Sequence, residues 1–414
     1  MKSFLKKLLP EPLVRAYHYL VAWFGALYFG FPGKKMMVIG VTGTKGKTTT
    51  SNFIWAVLTA GGHKTGIIST ANIRIGGESS LNYYHMTMPG RFAVQRLMAK
   101  MAKAGCTHCV VETTSEGLKQ YRHIGVYYDI GVFTNLTPEH LPSHGGSFEN
   151  YKHAKGKMFA HTKELIIANG DDPHAEYFLS FPAKKKIKFH KSDFDATRFH
   201  LGILGDFNIA NALPAIIIGR ELGISDADIA KGLADLKLIP GRMEIIQYEP
   251  FVVIVDYAHE KMSITNVLET AKKIRKPGAK TIILLGAEGG GRDKRKRPIM
   301  GELAAKLADY LICSNVDPYD DDPTPIVEDI AVAAEAHGMV RNQNLFVIED
   351  RRLGIRKALE LAQPGDVVLI TGKGSEQSMI IDGKSIPWDD RVVVREEIHR
   401  LHPPNSHQAH SYPV

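Results

Sequence analysis

The sequence predicts an α/β protein built from two parallel-sheet domains in series. The first observation is that short β-branched or apolar runs alternate with helical stretches, the pattern of a parallel sheet covered by helices. The second is length: 414 residues exceed one ordinary core, and two domains of roughly 150–200 residues each are the expectation. The third is that the alternation starts twice, at Met36 and again after Pro240, where the chain changes character around LKLIPGRMEII. The resulting division is residues 1–35, 36–239, 240–400 and a polar, flexible tail over 401–414.

The elements follow in order. The basic MKSFLKK precedes an apolar, aromatic stretch, Leu13 to Phe31. Its uncharged part is shorter than the ~20 residues a bilayer requires, and no small-residue cleavage site follows it. Two readings stand: a helix packed on the first domain, or a helix by which residues 1–31 rest peripherally on the inner membrane surface. MMVIGVTG then reads as a strand, a helix starts near Lys47, KTGIIST is a strand, Ala93 to Ala104 a helix and HCVVET a strand. DIGVFTN and ELIIAN are further strands, and GDFNIANALPAIIIGREL is a turn entering a helix. The second series runs through FVVIVDYAH, KTIILLGAEGGG, YLICSNVD, LFVIED and DVVLITGKG.

Composition narrows the class. With 44% hydrophobic and 23% charged residues the chain reads as soluble and globular. The formal charge of +8 is spread along the chain, and its clusters at Lys184 to Lys188 and Arg292 to Arg297 lack interleaved aromatics, so anionic small substrates fit better than nucleic acid. Three cysteines make no disulfide framework, and Cys106 and Cys109, a lone CxxC, read as small buried residues at a strand start in a reduced cytoplasm.

The chemistry concentrates in VTGTKGKTTT, residues 41–50. A strand, then Gly43, Thr44, Lys45, Gly46, Lys47, Thr48 and Thr49 opening a helix, is the arrangement in which backbone N–H groups surround a polyphosphate. Lys47 is placed for the β/γ-phosphates and Thr48 for magnesium. The strict phosphate-loop pattern asks for glycine where Val41 stands. Glu112, at the end of an apolar strand, is placed to hold a metal beside this loop. Taken alone, His140 reads as a loop histidine and Lys155 as a solvated charge on a basic helix.

GVTGTKGKTTT, TNLTPEHL followed by YKHAKGKMF, GDFNIANALPA, IPGRME, VDYAH and GGGRDKRKRPIM together resemble the successive motifs of the Mur ligase family, over about Met36 to Arg395. That family's own loop resembles TGTNGKT, which accommodates Val41. The resemblance implies a P-loop ATP-binding domain followed by a Rossmann-like carboxyl-terminal domain, the two closing over their ligands. GGGRDKRKRPIM, DRRLGIRKAL and GKGSEQ most resemble the branch that adds the third stem-peptide residue, diaminopimelate or L-lysine, to UDP-N-acetylmuramoyl-L-alanyl-D-glutamate through an acyl phosphate. By resemblance Lys47 and Thr48 bind phosphate and magnesium, Glu112 and His140 bind magnesium, and Lys155 is the lysine that becomes a carbamate, itself a magnesium ligand. Asn208 and Asn211 match asparagines near adenine, Arg242 an arginine that contacts ATP, and Asp256, Tyr257 and His259 a second nucleotide-contacting segment. ATP and Mg2+ are the implied cofactors, and the implied protein is a cytoplasmic monomer.

The pattern also departs from the family's. Some 35 residues precede the ATP-binding domain, too few for the branch's usual uridine-binding domain. HMTMPG keeps Thr87 and Pro89 of the muramoyl-contacting segment. VDPY, ending in Tyr319, stands where diaminopimelate-adding members resemble DNPR, so that arginine is replaced and Asp317 is available to face a distal ammonium. Arg297 and Glu376 match positions near the amino acid's α-carboxylate and amine. Ser375 replaces a histidine, and DYAHEKMS lacks the common continuation. The alternatives are another Mur-type amide ligase with an acceptor lacking UDP, and a non-catalytic ATP-binding scaffold.

Overall fold

A computed structural model of the chain describes residues 10–84, 86–139 and 141–401. The basic amino-terminal heptapeptide and all of the polar tail after Leu401 lie outside them. The chain divides into two compact units, Met1–Ile239 and Pro240–Val414.

In the first unit, helix α1 (Glu11–Tyr28) precedes the sheet and packs on helix α3 (Arg91–Lys103). The eight-stranded sheet has the order β4-β3-β2-β5-β1-β6-β7-β8. Its strands are β1 (Met37–Thr42), β2 (Thr65–Ile68), β3 (Asn72–Ile75), β4 (Glu78–Leu81), β5 (His108–Glu112), β6 (Ile130–Phe133), β7 (Leu165–Asn169) and β8 (Lys185–Phe189). The strands from β2 through β8 in this order run parallel, and β3 and β4 add an antiparallel edge. That edge is a correction to an all-parallel expectation: ANIRIGGESSL carries a Gly76–Gly77 turn, both at positive φ, which closes a hairpin rather than a crossover.

Side chains explain why the sheet is sealed on both faces. Ile39 and Val41 of β1 join Phe53, Ile54, Val110, Val132 and Ile167 in one core, whereas Val38 joins Val111, Phe133, Tyr151 and Phe159 in the other. This is the strand period of two, with apolar residues on both sides. Helix α2 (Lys47–Ala60) leaves β1 and packs on α7 (Asn208–Glu221) and α8 (Asp226–Asp235). Because β1 lies between β5 and β6, its carboxyl end is the point where strand order reverses, the place where such sheets bind ligands.

The second unit carries a six-stranded sheet of order β13-β12-β11-β14-β10-β9. Its strands are β9 (Glu244–Gln247), β10 (Val252–Asp256), β11 (Thr281–Leu285), β12 (Tyr310–Cys313), β13 (Leu345–Val347) and β14 (Val367–Thr371), with β9 antiparallel at the edge and the others parallel. A hairpin of β15 (Ser378–Ile381) and β16 (Lys384–Pro387) and the helix α13 (Asp390–Leu401) complete it.

Candidate active site

The loop after β1 is built by glycines that admit no side chain. Gly46 sits at φ 80°, and a Cβ there would come within 2.1 Å of Asn211 Oδ1; a Cβ on Gly43 would come within 1.9 Å of Thr134 Oγ1. Both are positions that only glycine occupies without strain. The end of β6 fastens the loop: Thr44 N donates to Asn135 O (2.8 Å), Lys45 N to Asn135 Oδ1 (2.9 Å) and Thr134 Oγ1 to Lys45 O (2.7 Å). Thr44 Oγ1 lies 3.1 Å from Tyr151 Oη, and Thr49 is buried in the first turn of α2. Lys45 pairs with Glu139 at 2.8 Å, while Lys47 Nζ arches back to Thr44 O at 2.9 Å. That Lys47 geometry holds an ammonium at the mouth of the loop, at the amino end of α2, where helix N–H groups also point.

Glu112, at the carboxyl end of β5, is 1% exposed. Its oxygens accept from Thr48 Oγ1 (3.0 Å), Thr70 N (2.7 Å) and Thr70 Oγ1 (3.0 Å), which are all neutral donors. Thr70 Oγ1 also lies 2.8 Å from Thr87 Oγ1 and, with its own proton given to Glu112, accepts there, so Thr87 is linked to Glu112 through one hydroxyl, and Pro89 lies buried two residues on. A buried carboxylate beside a hydroxyl is an all-oxygen donor set, and it fits magnesium, which prefers hard oxygen ligands and retains waters. Among the described residues no group of three or more His, Cys, Asp or Glu side chains forms a ready-made cation cage, and His140 lies outside them.

Lys155 corrects the reading of a solvated charge. It sits on α5 (Phe148–Ala160) and is 2% exposed, because Tyr151, Met158 and Phe159 of the same helix pack onto the sheet. Its Nζ donates to Gly43 O at 2.6 Å and lies 4.6 Å from the centre of the Tyr151 ring. Burial, and then the nearby Lys47 charge, push its amine well below the usual lysine value, which favours a neutral nucleophile. On α7, Asn211 Nδ2 donates to Asn208 Oδ1 (2.9 Å) and Asn208 Nδ2 to Leu204 O (2.5 Å), which sets the Asn211 carbonyl over Gly46.

In the second unit, charged side chains gather beyond the carboxyl ends of β10, β11, β12 and β14. Asp256 accepts from Met243 N and Ala258 N, each at 2.7 Å, and fixes the turn that carries Tyr257 and His259. Arg242 stacks over Tyr257 at 4.4 Å. Tyr257 Oη donates to Glu376 Oε1 at 3.2 Å; the Glu376 charge, followed by burial, raises that phenol well above its ordinary value. Lys373, 1% exposed, reaches Asp317 Oδ2 at 2.8 Å and Glu376 Oε2 at 2.7 Å. Burial opposes its charge, but Glu376 and Asp317 outweigh it and the amine is held above its usual value. Asp317 also accepts from Ile380 N at 2.8 Å, so both of its oxygens are engaged inside the unit. Arg297 donates to Asp329 Oδ2 (2.9 Å) and Glu288 O (3.1 Å). Tyr319, at φ 58°, presents its hydroxyl to Arg292 at 3.4 Å.

Thr70, Thr134, Asn135, Tyr151 and Lys373 were not singled out by sequence reasoning. Signals existed for some: TNLT ends an apolar strand and Lys373 sits between two glycines in GKGSE. Thr70 carries no such signal, since only the fold brings it to Glu112.

A P-loop domain with a buried carboxylate and a buried lysine beside the loop, followed by a Rossmann-like domain, defines an ATP-dependent enzyme class. Residues 41–198 match the Mur ligase middle domain and residues 241–374 the Mur ligase glutamate ligase domain. A UDP-N-acetylmuramyl-tripeptide synthetase of Roseiflexus sp. is 34% identical, over 95% of this chain and 84% of that protein. A UDP-N-acetylmuramoyl-L-alanyl-D-glutamate–2,6-diaminopimelate ligase of Aquifex aeolicus is 35% identical, over 89% and 79%. A solved structure of a ligase of that same description superposes with a TM-score of 0.59 at 28% identity, covering 89% of this chain and 79% of the other. The bifunctional folylpolyglutamate synthase/dihydrofolate synthase of Yersinia pestis shares the fold, with a TM-score of 0.68 at 17% identity over 93% of each chain. The chain belongs to the Mur ligase family of ATP-dependent amide ligases.

Proposed function

We propose that this ligase joins the third amino acid of a peptidoglycan stem peptide, diaminopimelate or L-lysine, to UDP-N-acetylmuramoyl-L-alanyl-D-glutamate. The acceptor carboxylate oxygen attacks the γ-phosphorus of ATP and ADP departs, leaving an acyl phosphate. The incoming amine attacks that carbonyl carbon, loses a proton and expels inorganic phosphate, and an amide remains. The observation that carries the reading is the convergence of Thr48, Glu112 and Lys155 on the loop 43–49.

In this reading the loop amides from Gly43 to Thr49 and the Lys47 ammonium hold the phosphates, and Asn208 and Asn211 border the base. Thr48 and Glu112, with His140, hold magnesium, whose charge offsets the repulsion between a carboxylate and ATP. The neutral Lys155 amine adds to carbon dioxide and releases a proton, giving a carbamate that contributes a further oxygen ligand. Arg242, Asp256, Tyr257 and His259 serve the nucleotide as well. Thr87 and Pro89 receive the muramoyl end of the acceptor. Arg297, Asp317, Tyr319 and Glu376 select the amino acid; Asp317 acts by orienting Lys373, and Glu376 faces the α-amine. The enzyme acts as a cytoplasmic monomer.

The test is phosphate release with ATP, magnesium and the UDP-dipeptide, offering meso-diaminopimelate, L-lysine and L-ornithine in turn, with the product identified by mass. Turnover with diaminopimelate or L-lysine is the expected result. Failure with all three, while ATP still binds, rules out this acceptor and turns attention to one without UDP.

A further inference from the structure

Helix α1 turns Ala22, Gly25 and Ala26 inward with His18, and leaves a row of large apolar side chains outward. Gly25 lies so close to α3 that a Cβ would meet Phe92 at 3.2 Å. The opposite side displays Leu13, Tyr17, Leu20, Trp23, Phe24 and Leu27, each at least 44% exposed. Their spacing of three and four residues makes one continuous stripe. Tyr28 and Phe92 extend it, with ring centres 6.0 Å apart. A helix that only had to cover its domain would turn this stripe inward, and an exposed apolar patch of this kind marks a docking surface.

The charge around the stripe selects the occupant. Glu11, at the first position of α1, is the helix's one acidic residue, and no Asp or Glu follows it before Glu78. Arg15 lies on the helix itself, and Arg91 opens α3, the helix on which α1 packs. Lys34 stands 5.1 Å from the ring centres of Phe31 and Tyr127, and Phe31 packs on Trp23. Lys157 lies over Tyr121 at 5.4 Å, and Tyr121 meets Tyr19 edge-on. Tryptophan and tyrosine beside an apolar stripe with cations at its margins is the composition of a helix lying in a lipid headgroup region. No helix among the described residues is long and apolar enough to cross a membrane.

We infer that α1 docks this protein on an anionic phospholipid surface, its axis in the plane of the interface. The probes are vesicles of phosphatidylcholine alone and of phosphatidylcholine with phosphatidylglycerol, sedimented with the full chain. The protein is expected to pellet with the anionic vesicles, to be released by raised salt, and to shift Trp23 fluorescence to the blue. Leu20→Glu/Phe24→Glu should lower the bound fraction about tenfold while retaining the far-ultraviolet circular dichroism and ligase turnover of the wild type in vesicle-free solution. Wild-type protein that stays in the supernatant, binds neutral vesicles equally well, or binds as strongly after the double substitution overturns the inference. So does a wild-type dimer that the double substitution dissociates without any vesicle binding, which assigns the face to a second copy.

Discussion

Lys155 and Glu112 show how much a single position draws from its surroundings. Burying an amine beside another lysine is costly, and the cost is reduced when the group is neutral. A lysine so placed suits reaction with carbon dioxide, so Lys155→Ala and Lys47→Ala are each expected to lower ATP-dependent phosphate release by about a hundredfold or more. Added bicarbonate should support the wild type and leave Lys155→Ala unchanged; full activity of that variant ends the carbamate assignment. In the proposed reaction Lys373 serves as a positioning residue: its amine lies between Asp317 and Glu376, and Lys373→Met leaves two carboxylates without their common partner. The expected outcome is a KM for the amino acid raised about tenfold or more, with the KM for ATP little changed. A loss confined to kcat, with both KM values intact, would contradict this role.

At the scale of elements, the clearest fastening is between α13 and helix α12 (Arg351–Leu361). Arg351 and Asp390 have fully buried side chains and meet through two hydrogen bonds, of 2.7 and 2.6 Å. Arg351 also donates to Asn315 O and Thr371 O, so one guanidinium ties both helices to the ends of β12 and β14. Removing one partner leaves the other charged and buried. Asp390→Ala is therefore expected to destabilise the second unit by about 3–5 kcal/mol, read as a lower urea midpoint; a change below ~1 kcal/mol would mean that water reaches the pair. The strands were legible in the sequence because each is a short apolar run. The β3–β4 hairpin, β8, β9 and the β15–β16 hairpin were not: ESSL, KKIKF, EIIQ and KSIP are short segments with polar or charged residues at sheet edges or in hairpins, and their pairing depends on a neighbouring strand that local composition does not encode.

For the molecule as a whole, two histidines kept neutral contribute to the loss of stability in acid. His108, 4.4 Å from the His63 ring, is lowered to about 4 by burial and by His63. His123 is lowered to about 3 by burial, His161 and Lys157. In both cases the folded value lies below the unfolded value of 6.5, so the unfolded chain binds more protons in between. Their contribution is complete above pH 6.5 and is lost as pH falls through 4 and then 3, with stability rising with pH across the window. Denaturant midpoints measured through this range should fall steadily, and His108→Gln should flatten the slope if it folds; an equal slope in that variant would assign the acid sensitivity to other groups.

The order of motifs, the two βα series and the phosphate loop are properties of the chain itself, because strand period, glycine turns and short apolar runs are local signals. That is why the α/β fold and the Mur ligase relationship were legible before any coordinates. Tertiary structure alone decided that Lys155 is buried rather than solvated, that Thr70 joins Thr87 to Glu112, and that Asp317 is committed to Lys373. It also decided which side of the amino-terminal helix faces outward. These are outcomes of packing between segments distant in sequence, and burial, which sets both charge state and hydrogen-bond partner, is created only when those segments meet.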